Sequence, residues 1–160
     1  MNDADGAVTN ASITLDGAPF AYDAVGESYN FSTTQLQGTH SMSFTVPGRG
    51  SETLSFTLPD VVTISSPSPN QSFSSGAAVP IAWAPAAGTA YYDVYFLADD
   101  GSGNWLFHTI TSDKAAMTPP ISFVGPAHLT VKALAPLAVG SQGSFLTPIS
   151  QTRVNVTFTR

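Results

Sequence analysis

A chain of 160 residues suffices for one large domain or two small ones, and at this size folding buries roughly two-thirds of the surface the unfolded chain exposes. Only 10% of the residues are charged, against the roughly 25% usual for soluble domains, and eleven acidic against five basic residues leave a net charge of −6. The cations Arg49, Lys114, Lys132, Arg153 and Arg160 are scattered, so there is no basic stripe to release phosphate counterions; nucleic acid and anionic membrane surfaces are not expected partners.

Cysteine is absent, which removes disulfides, thiolate nucleophiles and Cys-ligated zinc together. No run of about 18 apolar residues is present, so membrane insertion by a helix is not expected. The opening Met1–Gly6 has neither a basic region nor an apolar core and reads as the start of a chain whose secretion signal has been removed. Ser, Thr, Gly, Pro and Ala take the place of charge, and with 11% aromatics they suit short strands with hydroxyl-rich outer faces rather than helices.

In chain order, Ala11, Ile13 and Leu15 share one face of a first strand, and Asp16-Gly17 turns the chain into Ala18 to Tyr22. Tyr29 and Phe31 mark a short further strand. Residues 39 to 46 then alternate, with His40, Met42, Phe44 and Val46 on one side and hydroxyls on the other. Residues 52 to 58 repeat the pattern with Glu52, Leu54, Phe56 and Leu58. A period of two means half-buried antiparallel strands, and Pro47-Gly48-Arg49-Gly50 between them makes the pair a hairpin. These elements form a first β-module over residues 7–59, with a junction at Pro59-Asp60.

The second block, residues 60–160, is spaced as a sandwich. Its expected strands are Val61 to Ile64, Val79 to Trp83, Ala90 to Ala98, Trp105 to Ile110, Ala127 to Ala135 and Arg153 to Thr159. The Ser- and Pro-rich stretch Ser65 to Asn70 reads as an ordered crossing at a sheet edge. The best helical candidate, Asp113 to Met117, is at most one turn. Val79, Ile81 and Trp83 point inward, as do Tyr92, Val94 and Phe96, then Leu129, Val131 and Ala133, then Val154, Val156 and Phe158; four such faces make a two-sheet core. One continuous β-sandwich over residues 7–160 is the alternative division.

Ile64-Ser65-Ser66-Pro67 followed by Gly76, Val79, Ile81 and Trp83 resembles the opening of fibronectin type III and related bacterial immunoglobulin-like domains. Tyr92-Asp93-Val94, Trp105 and Leu129-Thr130-Val131-Lys132-Ala133 resemble the later strands of that family. The resemblance covers about residues 60 to 160 and implies an all-β, immunoglobulin-like (fibronectin type III-like) antiparallel sandwich. His128-Leu129 stand where the family has an aromatic at the start of its sixth strand. The first block is similar to the small prealbumin-type or immunoglobulin-like modules that precede such domains in bacterial surface proteins. The lack of a disulfide departs from vertebrate secreted immunoglobulin domains.

No catalytic set emerges. Serine is abundant, but no Gly-x-Ser-x-Gly elbow precedes a helix, and His40, His108 and His128 stand alone in their segments. Glu27 and Glu52, the two glutamates, lie in separate segments, which speaks against glycoside hydrolysis. No histidines have zinc-ligand spacing, and no cofactor is expected. Asp99, Asp100 and Asn104 have the oxygen-rich look of a calcium loop but lack its closing bidentate Glu, and a hairpin loop accounts for them more simply.

The chemistry-bearing residues instead gather on the outer face of the second block. If Tyr92, Val94 and Phe96 point in, Tyr91, Asp93, Tyr95 and Leu97 point out, beside His128, Thr130 and Lys132 of one neighbour and Arg153, Asn155 and Thr157 of the next. Tyr91, Asp93, Tyr95, Trp105, His128 and Lys132 are thus the candidate ligand-binding residues, able to stack on sugar rings or to anchor a protein. An outward Tyr95 is expected to bury little area. The expected function is that of a non-enzymatic extracellular or cell-envelope module acting in adhesion, spacing or as an accessory domain of a larger surface protein or lipoprotein, with a protein or glycan at the cell surface as partner. A carbohydrate-binding module and a fibre or oligomer subunit assembled by strand addition are the alternatives.

Overall fold

The computed structural model describes residues 2–3, 6–7, 9–25, 28–30, 38–139 and 145–160. Phe31 and Glu27, singled out in the sequence, lie outside them. The described residues are strands, turns and loops, and they divide into two compact units. One comprises Met1–Leu58 with Leu137–Thr147; the other comprises Pro59–Pro136 with Pro148–Arg160.

The first unit begins with the short pair β1 (Asn2–Asp3) and β2 (Gly6–Ala7). It continues through β3 (Ser12–Leu15), β4 (Ala18–Pro19), β5 (Ala21–Asp23), β6 (Ser28–Asn30), β7 (Gly38–Val46) and β8 (Gly50–Leu58). Four of these form a sheet in the order β4-β3-β7-β8. Asp16 and Gly17 adopt φ of 50° and 84°, the left-handed conformation that lets a two-residue turn join Leu15 to Ala18. In the β7–β8 hairpin the hydroxyl face zips up through Thr39–Thr57 at 3.1 Å, Ser43–Thr53 at 2.9 Å and Thr45–Ser51 at 2.9 Å. The other face packs His40, Leu54 and the half-buried Met42, Phe44 and Phe56. The alternation read from the sequence is the alternation observed.

His40 is tied to the first turn. Its Nδ1 lies 2.7 Å from Asp16 Oδ2, the Ser41 backbone N–H donates to Asp16 Oδ1 at 2.8 Å, and its ring meets Phe56 at 5.8 Å. One carboxylate therefore holds the β3–β4 turn onto β7.

The second unit opens with β9 (Ile64–Ser66), later than the Val61 expected from the sequence, although Val62 is already buried in the core. The chain then crosses to the opposite sheet as β10 (Gln71–Ser74) and returns as β11 (Pro80–Trp83). It runs on through β12 (Tyr91–Ala98), β13 (Trp105–Thr111), β14 (Ala115–Met117) and β15 (Gly125–Leu134). An excursion of two short strands, β16 (Ala138–Val139) and β17 (Phe145–Leu146), groups with the first unit rather than the second block to which the sequence assigns it. The last strand is β18 (Ile149–Thr159).

Two sheets result, β14-β11-β9 and β10-β18-β15-β12-β13. β10 pairs in parallel with β18, while the other pairings are antiparallel. Three strands against five, with β15 central in the larger sheet between β18 and β12, is the order of an immunoglobulin-like, fibronectin type III-like β-sandwich. The helical turn considered for Asp113 to Met117 is instead a turn followed by β14. Its Ala116 lies opposite Ile81, and pairing with β11 overrides the local preference of Ala-Ala-Met for helix. β10 is an element that Ser- and Gln-rich sequence does not announce.

The core contains Val62, Val79, Ile81, Trp83, Tyr92, Val94, Phe96, Leu129, Val131, Val154, Val156 and Phe158. Trp83 and Tyr92 meet edge to face at 5.2 Å, and the Tyr92 hydroxyl accepts the Ala86 N–H at 3.0 Å. Phe158 gathers Phe73, Phe96 and Phe123 at 5.9–6.2 Å. The indole N–H of Trp83 is buried without a hydrogen-bond partner, which sets a desolvation cost of about 1–3 kcal/mol against the burial of the ring.

Two tests follow from these contacts. Trp83→Ala should lower unfolding free energy by about 3–5 kcal/mol in denaturant titration, and Trp83→Phe by much less, because Phe fills most of the space and leaves no orphan donor. Similar losses for both would mean that Trp83 is not held by packing. Separately, hydrogen bonds from His40 and Ser41 lower the Asp16 pKa below its ordinary 3.8. A depressed carboxylate stabilises the fold above its unfolded value, and that contribution disappears as pH falls from 3.8 through the lower folded value. Asp16→Asn keeps a residue that tolerates positive φ, so it should lower stability at neutral pH and match the parent well below the carboxylate range. An equal deficit at both pH values would show that the charge is not what matters.

Candidate functional site

The register of the five-stranded sheet decides which side chains share its outer face. Across β12 and β15, Tyr91 lies opposite Leu134, Asp93 opposite Lys132, Tyr95 opposite Thr130 and Leu97 opposite His128. On the other side of β12, Asp93 faces Ile110, Tyr95 faces His108, and a bulge places Trp105 opposite Leu97. Beyond β15, Lys132 faces Gln151, Thr130 faces Arg153 and His128 faces Asn155. Because directly opposed residues project to the same side, and the intervening Tyr92, Val94, Phe96, Leu129 and Val131 are core, these residues form one outer surface. The six sequence candidates, Tyr91, Asp93, Tyr95, Trp105, His128 and Lys132, all lie on it.

They do not form an open aromatic patch. Tyr95 is only 8% exposed, because the Trp105 ring lies 4.9 Å from it and Lys132 Nζ sits 5.0 Å from its ring centroid. The expectation that Tyr95 buries little area is therefore corrected: alternation gives its direction, while long side chains from β13 and β15 lie across it. His128 is likewise buried on this outer face. Trp105, 56% exposed, is the prominent ring, and it also meets His108 edge-on at 4.8 Å. Tyr91 and Ile110 are exposed at the same face.

Two acid-centred clusters fix the polar groups. Asp93 lies 2.8 Å from His108 Nε2 and 3.8 Å from Lys132 Nζ. Asp99 lies 2.6 Å from His128 Nδ1 and accepts from an Arg153 guanidinium nitrogen at 3.1 Å; Arg153 Nε also reaches Asn155 Oδ1 at 3.4 Å. With Asp16 and His40 in the first unit, each of the three histidines of the chain thus has an aspartate partner distant in sequence. The sequence, which leaves them standing alone, carries no local signal of this. An Asp–His pair is two-thirds of a nucleophilic triad, but among the described residues no hydroxyl is hydrogen-bonded to any of these rings. Their geometry is that of clamps between strands.

The Asp99–Asn104 loop closes as a hairpin. The Asp100 carboxylate accepts the Ser102 N–H and hydroxyl, bonds that lower its pKa, and the Ala98 N–H donates to the Asn104 carbonyl. Asp99 is engaged with His128 and Arg153, so the residues considered for calcium are directed to separate partners. Among the described residues no three His, Asp or Glu side chains gather as a metal site. Beside Arg153, a shallow groove lined by Pro69, Asn70, Arg153, Val154 and Asn155 continues the face past β18.

Tyr95→Ala should accordingly cost about 3 kcal/mol in denaturant titration, as for other large buried rings, and should increase the solvent response of Trp105 fluorescence. A loss below about 1 kcal/mol would mean that the ring is not covered in solution.

No protein-family model matches the chain, and no curated protein matches its sequence. Among solved structures, it is similar to the fibronectin(III)-like modules of Clostridium thermocellum CbhA, at 23% identity over 62% of this chain and 96% of that one, with a TM-score of 0.36. It is similar also to FN3tt, at 19% identity over 66% and 99% of the two chains and a TM-score of 0.39. A third likeness is to the IG1+IG2 pair of DIP-gamma, at 7% identity over 96% and 85% with a TM-score of 0.33.

Proposed function

We propose that this protein is a non-enzymatic extracellular or cell-envelope module that serves adhesion, as an accessory domain of a larger surface protein, by engaging a protein partner on the outer face of its five-stranded sheet. The observation that carries this reading is Trp105: more than half exposed, yet braced by Tyr95 and His108 on a floor held by Asp93 and Lys132. A tryptophan already held in place loses little freedom on binding and can fill a partner's pocket, which is the usual role of a hot-spot residue. Exposed Tyr91 and Ile110 extend the apolar centre, and Asp93, Lys132 and Arg153 supply a polar rim. The low charge and absence of cysteine fit an exported β-module of bacterial type.

A second reading, recognition of carbohydrate, is favoured by the same indole, whose exposed ring beside Asp93, His108 and Lys132 offers stacking together with hydrogen bonding. Glycan and surface-protein arrays probed with the parent chain separate the two. Trp105→Ala should weaken whichever interaction is found by at least about tenfold while moving the melting temperature by no more than about 2–4 °C. Binding undiminished by both Trp105→Ala and Tyr91→Ala would remove the site from this face.

A further inference from the structure

The groups around Trp105 form a closed ring of contacts. Trp105 meets Tyr95 at 4.9 Å and His108 at 4.8 Å, and His108 Nε2 lies 2.8 Å from Asp93 Oδ1. Asp93 Oδ2 lies 3.8 Å from Lys132 Nζ, which returns to the Tyr95 ring at 5.0 Å. Histidine is the side chain whose charge ordinarily changes between pH 5 and 8, whereas Asp, Tyr and Lys side chains ordinarily keep one charge state over that range. A carboxylate oxygen can only accept, so Nε2 of His108 carries its hydrogen in either charge state, and the proton gained goes to Nδ1. Among the described residues no group is hydrogen-bonded to Nδ1, and the His108 side chain is exposed. His128, the other imidazole of this face, is buried and has its Nδ1 against Asp99.

We infer that His108 is a proton gate on the Trp105 face: neutral, it offers Nδ1 as an acceptor beside the indole; protonated, it offers a donor and a positive charge there. The face thus draws anionic groups such as carboxylates at mildly acidic pH and loses that pull near neutrality. The surroundings of His108 leave the added charge unanswered. From β12 it faces Tyr95 directly, with Asp93 and Leu97 diagonal to it; Lys132 of β15 lies beyond Asp93, and Trp105 and Ile110 flank it on β13. Asp93 and Lys132 offset one another in both states, so protonation changes the local charge by one unit. It also makes the bond to Asp93 charge-assisted, roughly twice as strong as a neutral one. That draws the carboxylate from Lys132 and frees the ammonium toward solvent, which acts in the same direction. The use of such a gate rests on the reading of this face as a binding surface, but the charge change belongs to the free protein and is measurable there.

Quenching of tryptophan fluorescence by iodide and by caesium reads the charge at Trp105, because Trp83, the other tryptophan of the chain, is buried. A unit charge about 5 Å away changes the local concentration of each ion by about twofold at an ionic strength near 0.15 M, in opposite directions for the two. The ratio of iodide to caesium quenching should therefore rise by at least about twofold from pH 8 to pH 5 in the parent. In His108→Gln, which keeps a donor for Asp93 but takes no proton, less than half of that rise should remain. A ratio that stays level in the parent overturns the inference. So does a rise in His108→Gln at least half as large as the parent's, which would place the charge on His128 or elsewhere. Should His108→Gln fail to fold, His108→Phe, an uncharged ring at the same exposed position, serves in its place. Arrays that find no partner would remove the binding reading of the face without altering the quenching ratio, so the two failures are distinct.

Discussion

Sealing of alternate residues along β12, β15 and β18 governs the second unit. Val94, Phe96, Leu129, Val131, Val156 and Phe158 are each at most 2% exposed, and a register slip by one residue in any of these strands would turn that set to water. At roughly 1.5–3 kcal/mol for each fully buried side chain, no arrangement of surface groups competes with that penalty. The outer face inherits its order from this constraint. Asp93 stands beside Lys132, and Tyr95 between Thr130 and His108, because their neighbours in sequence have no other side to occupy.

What the outer face adds is a division of labour between floor and platform. Tyr95 and His128 are polar residues buried on the solvent side of a sheet; Trp105 and Lys132 lie against Tyr95, and His128 is bonded to Asp99, which also takes Arg153. Each carboxylate at this face serves two cationic or imidazole groups, Asp93 for His108 and Lys132, Asp99 for His128 and Arg153. Such shared pairs at partly exposed positions contribute modestly to stability, but they restrict the rotamers around Trp105 and Arg153. A surface that has already lost its freedom is a better binder than a mobile one.

Much of this was legible in the sequence, for a definite reason. A period of two survives in the hairpin of β7 and β8 and in the long strands of the sandwich because one side of each is buried. It named Trp83 and the Val94–Phe96 face as core and placed Tyr91, Asp93, Tyr95, His128 and Lys132 on the opposite side, whereas Trp105 reaches that side through the bulge after Phe96. It failed where the deciding force is remote. β14 and β10 are short and exist because β11 and β18 offer them partners, not because Ala-Ala-Met or Gln-Ser-Phe-Ser prefers a strand. The Asp–His pairs join residues 15 to 29 positions apart, and a bulge in β13 sets which of its residues meets Tyr95, so nothing local reveals them. The coverage of Tyr95 depends on side chains from two other strands, which periodicity does not see.

The hydroxyl zipper of the β7–β8 hairpin has a consequence for the setting in which the first unit operates. Opposite charges across an antiparallel ribbon attract one another less as dissolved salt shortens the screening length. Here three neutral threonine and serine pairs align the strands, and bonds between uncharged hydroxyls are neither titrated nor screened as ion pairs are. Those three pairs hold in brine as in fresh water.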